Sequence, residues 1–425
     1  MKKLQLHWQI LLAILLAAIA GTLSGTEAGL FGITFYQVYE FVGTLFLNAL
    51  KMIIVPLIAA SIITGVASIG SGVDFRRLGL KTMFYYALTG TLAILVGLFF
   101  VNVFTPGLSN GVPVGAQLNL SLDDDSVKGA LASIEGRDGG DLVNMFLRMI
   151  PTNIVAASSD NGEMLGLIFF SLVFGFFMTR IPQKQSETLM LFWHGISETM
   201  ILITMWIMKF APIGVFGLVA RTVAATGFAA FLPMLLFFCT VLGALLVHLF
   251  VVLPLLLKYV AKVSPIKHFK AMAPSLLTSF SSASSSATIP VTMECVQKNV
   301  GVSERISSFV IPLGATVNMN GTALYECAAA IFLAQAYGLD LSFGTQFTVV
   351  LLALMTSIGV AGIPAASLVA IAVILTAIGL PAEAIGLLLV TDRILDMVRT
   401  SINVYSDAVC ATIVARSEGE KGILV

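Results

Sequence analysis

The chain has 425 residues, of which 58% are apolar and 11% charged, and its 23 Lys and Arg balance 23 Asp and Glu. A soluble domain carries about 25% charge, so this composition excludes one. Zero net charge argues against a nucleic-acid partner. Short segments of alternating polarity, the mark of an outer-membrane barrel, are missing from the sequence. The expected class is an all-α polytopic membrane protein.

In chain order, apolar runs near 8–26, 41–69, 78–105, 142–180, 187–219 and 229–260 reach or approach the roughly 20 residues that span a bilayer as a helix. The run 142–180 is broken, and amphipathic at its start. Lys2-Lys3 and Ala18-Ile19-Ala20 give the first run the form of a cleavable leader. The stretch from Trp8 to Leu23 is read instead as a retained first helix.

Placing the N-terminus in the cytoplasm and alternating puts 15 of the 23 Lys and Arg inside and four outside. The remaining four, Lys51, Lys209, Arg393 and Arg399, fall within spans. That asymmetry satisfies the positive-inside rule, so both termini are expected in the cytoplasm of a cell (inner) membrane. The acidic Asp123-Asp124-Asp125 then lies in an outer loop. Cys239, Cys295, Cys327 and Cys410, and His7, His194, His248 and His268, are scattered without metal-ligand spacing.

Beyond residue 264 the pattern changes into two similar units. Each begins with a hairpin-like apolar stretch whose tip is made of small residues. One tip is Ser281-Ser282-Ala283-Ser284-Ser285-Ser286-Ala287-Thr288-Ile289-Pro290, and the other runs from Ser357 through Gly359, Gly362 and Pro364 to Ser367. Pro290 precedes Asn318 by 28 residues, and Pro364 precedes Asp392 by 28. Interrupted segments in corresponding positions of two repeats point to a transporter binding site. Non-helical backbone at membrane depth survives only where protein or a wet cavity receives it.

Between the tips, Asn318-Met319-Asn320-Gly321 is a poor helix interior, because Asn and Gly favour turns. Unwinding there would offer carbonyl and amide oxygens to a small hard cation. Glu326 follows one to two turns on. A carboxyl buried from water disfavours its charged form, which makes Glu326 a candidate proton carrier.

The last run, 382–415, carries Asp392, Arg393, Asp396, Arg399, Asn403 and Asp407. At about 100° per residue all but Arg393 fall within an arc of roughly 80°, with Arg393 at its edge. Ionisable residues inside a membrane segment are functional by default. The Arg399 fork suits a carboxylate and Asp396 suits an ammonium, so the pair reads as a site for a zwitterion with an extra carboxylate.

These motifs resemble the dicarboxylate/amino acid:cation symporter family, most closely its glutamate and aspartate transporters. The likeness spans essentially the whole chain and is strongest from Ser281 to Asp407. It implies eight transmembrane helices plus two re-entrant hairpins, built as inverted repeats and working as an elevator within a homotrimer. Segments 1–77 and 142–226 would form a scaffold. Segments 78–107 and 227–425 would form the mobile transport domain, with 108–141 an extracellular loop.

The resemblance implies substrate contacts from Ser284, Ser285, Thr322, Ile363, Ala366, Asp396, Arg399, Thr400 and Asn403. It implies sodium contacts from Tyr86, Thr89, Gly314, Thr316, Asn318, Asn320, Ser357, Ile358, Val360, Asn403 and Asp407. The cargo implied is an acidic amino acid with sodium, and protons as a further coupled ion through Glu326. Position 320 is usually Asp in relatives, and a hydroxyl residue usually stands at Gly90. Both departures weaken one implied sodium site, so fewer sodium ions are expected per cycle.

Four other readings compete, and a neutral amino-acid carrier is disfavoured because it would leave Arg399 buried and unpaired. A C4-dicarboxylate:cation symporter is disfavoured by Asp396, which has no use for a ligand lacking an ammonium. An intramembrane serine hydrolase, suggested by Ser284-Ser285-Ser286, lacks a base, since no His follows His268. An ion channel is separated from a carrier by net uphill uptake.

Overall fold

A computed structural model describes residues 6–67, 73–115, 117–118, 150–159, 164–226, 231–339, 341–359, 366–381 and 384–424. They are mostly helical. In chain order the helices are α1 (Leu6–Ser24), α2 (Phe35–Met52), α3 (Ile54–Ala67), α4 (Val73–Phe104), α5 (Ile154–Ser159), α6 (Met164–Met178), α7 (Gln183–Met208) and α8 (Ala211–Thr226). Then come α9 (Phe231–Val247, continued by π turns and a short α segment to Ala261), α10 (Pro265–Ser282), α11 (Ser285–Glu294), α12 (Glu304–Val317), α13 (Asn320–Ala336), α14 (Phe343–Gly359), α15 (Ala366–Ala377) and α16 (Ile385–Ser417). Two-residue ribbons pair antiparallel: β1 (Gly29–Leu30) with β2 (Ile33–Thr34), and β3 (Leu108–Ser109) with β4 (Val112–Pro113).

Two runs that read as single spans are broken, and proline explains both. The run 41–69 splits at Ile53 and the run 187–219 splits at Lys209-Phe210. Pro56 and Pro212 supply no N–H to the carbonyls four residues back, Met52 and Met208, which are the last residues of α2 and α7. In α9, Pro254 sits between two π segments, His248–Val252 and Leu257–Ala261, so the lost bond is absorbed by wider turns without ending the helix. The start of the run at 142–180, and the loop carrying Asp123 to Asp125, lie outside the described residues.

The polarity pattern is that of a protein in lipid. Leu191, Leu202 and Trp206 on α7 are exposed, as are Leu235 and Phe250 on α9, while Asp392, Asp396, Arg399 and Asp407 are buried. Among the described residues Arg77–Phe104, Gln183–Ile207 and Leu232–Ala261 are each long and apolar enough to cross a bilayer.

Three sets of neighbours stand out in the packing: α8 lies against α1 and α2, and α3 lies against α6 and α7. In the third, α4 packs on α9 and α13, while α16 runs down the middle in contact with α9, α10, α11, α12 and α13. The sets meet where α8 touches α16 and where α3 touches α14. Helix α16, polar on one face, is thus enclosed by protein on several sides, as its sequence requires. The α10–α11 pair turns at Ala283, which takes the left-handed φ of 49°. The α14–α15 pair packs on α13, so both hairpin-like pairs border the polar centre.

Candidate functional site

Among the described residues, three of the polar knots along α16 contain the residues singled out in the sequence. The first forms where α12 stops and α13 starts. Asn318 and Met319 leave helical geometry, with φ,ψ of −108°,67° and −99°,65°. Met319 stands at the N-cap position of α13 without a side-chain cap of its own. Asn403 of α16 supplies one across the interface: its Oδ1 accepts from Gly321 N at 2.8 Å and from Thr322 N at 3.4 Å. Those N–H groups are orphans of the first helical turn, which is why an acceptor there is stabilising. Asn403 Nδ2 donates to Thr322 Oγ1 at 3.0 Å, so the two sequence-selected residues meet. Gly321 is required for the approach, because a Cβ there would lie 2.8 Å from the Arg399 carbonyl oxygen.

The second knot gathers most of the expected sodium set. Asn318 Nδ2 donates to Asp407 Oδ1 at 2.8 Å and to Ser406 Oγ at 3.1 Å. Asn318 Oδ1 accepts from Thr89 Oγ1 at 3.2 Å, and Asn320 Nδ2 donates to Ser406 Oγ. Tyr86 donates to the Val310 carbonyl at 2.6 Å. Gly314 sits under the group: a Cβ there would lie 2.6 Å from Asp407 Cγ and 2.8 Å from Tyr86 Oη. Asp407 is the carboxylate of this knot, and all its oxygen donors are hard, suiting a small monovalent cation over a soft metal. Among the described residues no cluster of three His, Cys, Asp or Glu could hold a metal.

The third knot is ionic. Arg399 is fully buried, and its Nη2 donates to Asp392 Oδ1 at 2.9 Å and to Asp396 Oδ1 at 3.0 Å. Its guanidinium carbon lies 3.9 Å from the centre of the Tyr325 ring, a cation–π contact that a desolvated guanidinium strengthens. Arg399 Nε and Nη1 are buried with no hydrogen-bond partner among the described residues. Arg393 Nη1 stands 3.6 Å from Asp396 Oδ2. Thr400 Oγ1 returns to the Asp396 carbonyl at 2.8 Å. On α13, Glu326 is fully buried; Oε2 accepts from Thr356 Oγ1 at 2.8 Å and Oε1 has no partner among the described residues.

The chemistry assembled here is a desolvated guanidinium with donors to spare, two carboxylates beside it, and a separate oxygen-rich knot holding one carboxylate. Comparison with known proteins adds the lineage. The sodium:dicarboxylate symporter family profile matches residues 6–417. The chain belongs to that family.

Similar proteins include the proton/glutamate-aspartate symporter of Escherichia coli K12, 34% identical over 98% of this chain and 93% of the relative. The proton/sodium-glutamate symport protein of Bacillus caldotenax is 35% identical over 99% of this chain and 96% of its own. Excitatory amino acid transporter 3 of Mus musculus is 36% identical over 87% of this chain and 77% of its own. The family and these relatives are transporters, not enzymes.

Other expected residues sit apart from the knots or beyond description. Ser284 Oγ caps α11, accepting from Ala287 N at 3.2 Å, and Ser285 beside it is buried. Thr316 Oγ1 and Ser357 Oγ each bond within their own helix, to the carbonyls of Leu313 and Leu354. Ile358 lies in the last turn of α14 and Ala366 opens α15. Val360 and Ile363 lie outside the described residues. Two participants, Tyr325 and Ser406, carried no charge to flag them in the sequence, while Asp392, marked on the polar stripe, acquires Arg399 as its partner.

Proposed function

We propose that this protein is a secondary active symporter that imports acidic amino acids, aspartate or glutamate, together with sodium and protons. The observation that carries the reading is Arg399: a guanidinium without solvent contact, anchored through one nitrogen and keeping two nitrogens for a ligand. A buried cation is costly unless fully paired, so its spare donors call for an anion. In this reading Arg399 and Thr322 hold the side-chain carboxylate and Asp396 holds the ammonium. Asn403 and the Ser284-Ser285 tip hold the α-carboxylate, with Thr400 bracing Asp396, and the backbone near Ile363 and Ala366 closes over the ligand.

One sodium uses Asp407, Asn318, Asn403 and the Gly314 carbonyl. A second uses Thr316 with the carbonyls of Ser357, Ile358 and Val360. A third, drawing on Tyr86, Thr89, Asn318 and Asn320, is weak in this chain, because Asn320 brings an amide in place of a carboxylate and Gly90 brings no hydroxyl. The close packing of α4, α9 and the helices from α10 to α13 around α16 supports a moving domain (78–107 and 227–425) carried by a scaffold (1–77 and 142–226). In the proposed architecture eight spans and two re-entrant hairpins, related as inverted repeats, work as an elevator. It operates within a homotrimer embedded in lipid of the cell membrane, both termini cytoplasmic.

The test is competition for labelled aspartate uptake in proteoliposomes by unlabelled aspartate, glutamate and succinate, with and without Arg399→Cys. Aspartate and glutamate should compete, succinate should compete poorly, and the variant should take up none of them. Undiminished aspartate uptake in Arg399→Cys overturns the assignment of the site.

A further inference from the structure

Arg393 is the one cation of the α16 polar cluster to which the proposed cycle gives no task. It is buried, at 7% exposure, and its Nε and Nη1 have no hydrogen-bond partner among the described residues. A guanidinium cannot shed its charge, so a position this dry needs an electrostatic reason. Its Nη1 stands 3.6 Å from Asp396 Oδ2, inside ion-pair range and outside hydrogen-bond range. The other oxygen of the same carboxylate, Oδ1, is taken by Arg399. Arg393 therefore faces the second oxygen of the carboxylate assigned to the ligand ammonium.

The charges around it balance. Asp392 and Asp396 face Arg393 and Arg399, two carboxylates against two guanidinium groups. Without Arg393, the same cluster would hold one uncompensated carboxylate whenever no ammonium is bound. A carrier has to move its binding site across the bilayer both loaded and empty, and an unpaired charge raises the cost of the empty journey.

We propose that Arg393 is a tethered counter-cation: it neutralises Asp396 in the empty site and yields that oxygen to the ammonium of the substrate. An Nη1 contact held by charge suits this exchange, since it has no hydrogen bond to break. Arg393 is thus a positioning residue that acts through Asp396, and its effect falls on the return of the empty site. The inference rests on the proposed binding of an amino acid at Asp396.

The experiment compares two modes of transport in proteoliposomes for wild type, Arg393→Gln and Arg393→Lys. Aspartate–aspartate exchange needs only the loaded site to move, whereas net sodium-driven uptake needs the empty site to return. Arg393→Gln should keep exchange within about threefold of wild type and lose about tenfold or more of net uptake. Arg393→Lys, which retains a cation, should recover net uptake to within a few-fold. Should Gln fail to fold, Arg393→Met serves as the neutral variant with the same expectation. Equal losses in both modes, or net uptake unaffected by removing the charge, overturn the proposal. Failure of the underlying reading looks different: wild type would then exchange no acidic amino acid.

Discussion

Adding one methyl group at Gly314 should separate cation binding from folding. In Gly314→Ala the new Cβ would lie 2.6 Å from Asp407 Cγ and 2.8 Å from Tyr86 Oη, well inside van der Waals contact. Asp407 cannot keep its position, so its 2.8 Å bond from Asn318 Nδ2 is lengthened or lost. Overpacking of this kind costs about 1–3 kcal/mol in stability. A hydrogen bond to a charged group contributes about 1.5–3 kcal/mol. If the cation uses this arrangement, losing the second amount alone weakens sodium binding about 10- to 150-fold. The assay is the sodium dependence of aspartate binding to purified protein, with circular dichroism as the folding control. Sodium affinity within twofold of wild type in folded Gly314→Ala would refute the assignment of Asp407 and Asn318 to a cation.

Other perturbations have equally definite outcomes. Asn320→Asp places a carboxylate beside Ser406 and Asn318, and should raise the number of sodium ions moved per aspartate, read from reversal potentials. An unchanged ratio would contradict the weak-site reading. Glu326→Gln keeps the shape and removes the titrating group, so uptake should lose its response to an imposed pH gradient while sodium-driven exchange persists. A retained response would clear Glu326 of proton coupling. At the end of α16, the Glu418 carboxyl is held below the usual range, first by the hydrogen bond from Lys81 Nζ at 2.6 Å and then by Arg77. A lowered folded value means that the contribution is whole above the unfolded carboxylate value of about 4.3 and fades as pH falls through the folded value. Glu418→Gln should therefore melt below wild type at pH 7, with the gap closing in acid. A gap that does not change with pH would count against the ion pairs.

Much of this site could be read from residue types because its chemistry is out of place in lipid. Asp392, Arg393, Asp396, Arg399, Asn403 and Asp407 cannot face hydrocarbon, and Asn318-Met319-Asn320-Gly321 cannot propagate a helix well, so both the enclosed stripe and the break at Asn318–Met319 were foreseeable. What was hidden depends on through-space partners. Tyr325 lies under Arg399, and Ser406 receives two Asn side chains; neither is distinguished in its own local sequence. Asn403 was selected as a ligand, yet its oxygen caps α13, a role set by the docking of two helices. The breaks at Ile53 and Lys209-Phe210 were missed because apolar residues continue on both sides, and hydropathy averages across the single missing N–H of Pro56 or Pro212.

If the buried guanidinium and carboxylate groups carry an acidic amino acid with cations, proteoliposomes whose sole driving force is an inward sodium gradient should accumulate labelled aspartate. The internal concentration should rise above that outside and collapse when the gradient is dissipated. Entry that stops at equilibrium, or accumulation indifferent to sodium, would contradict that role.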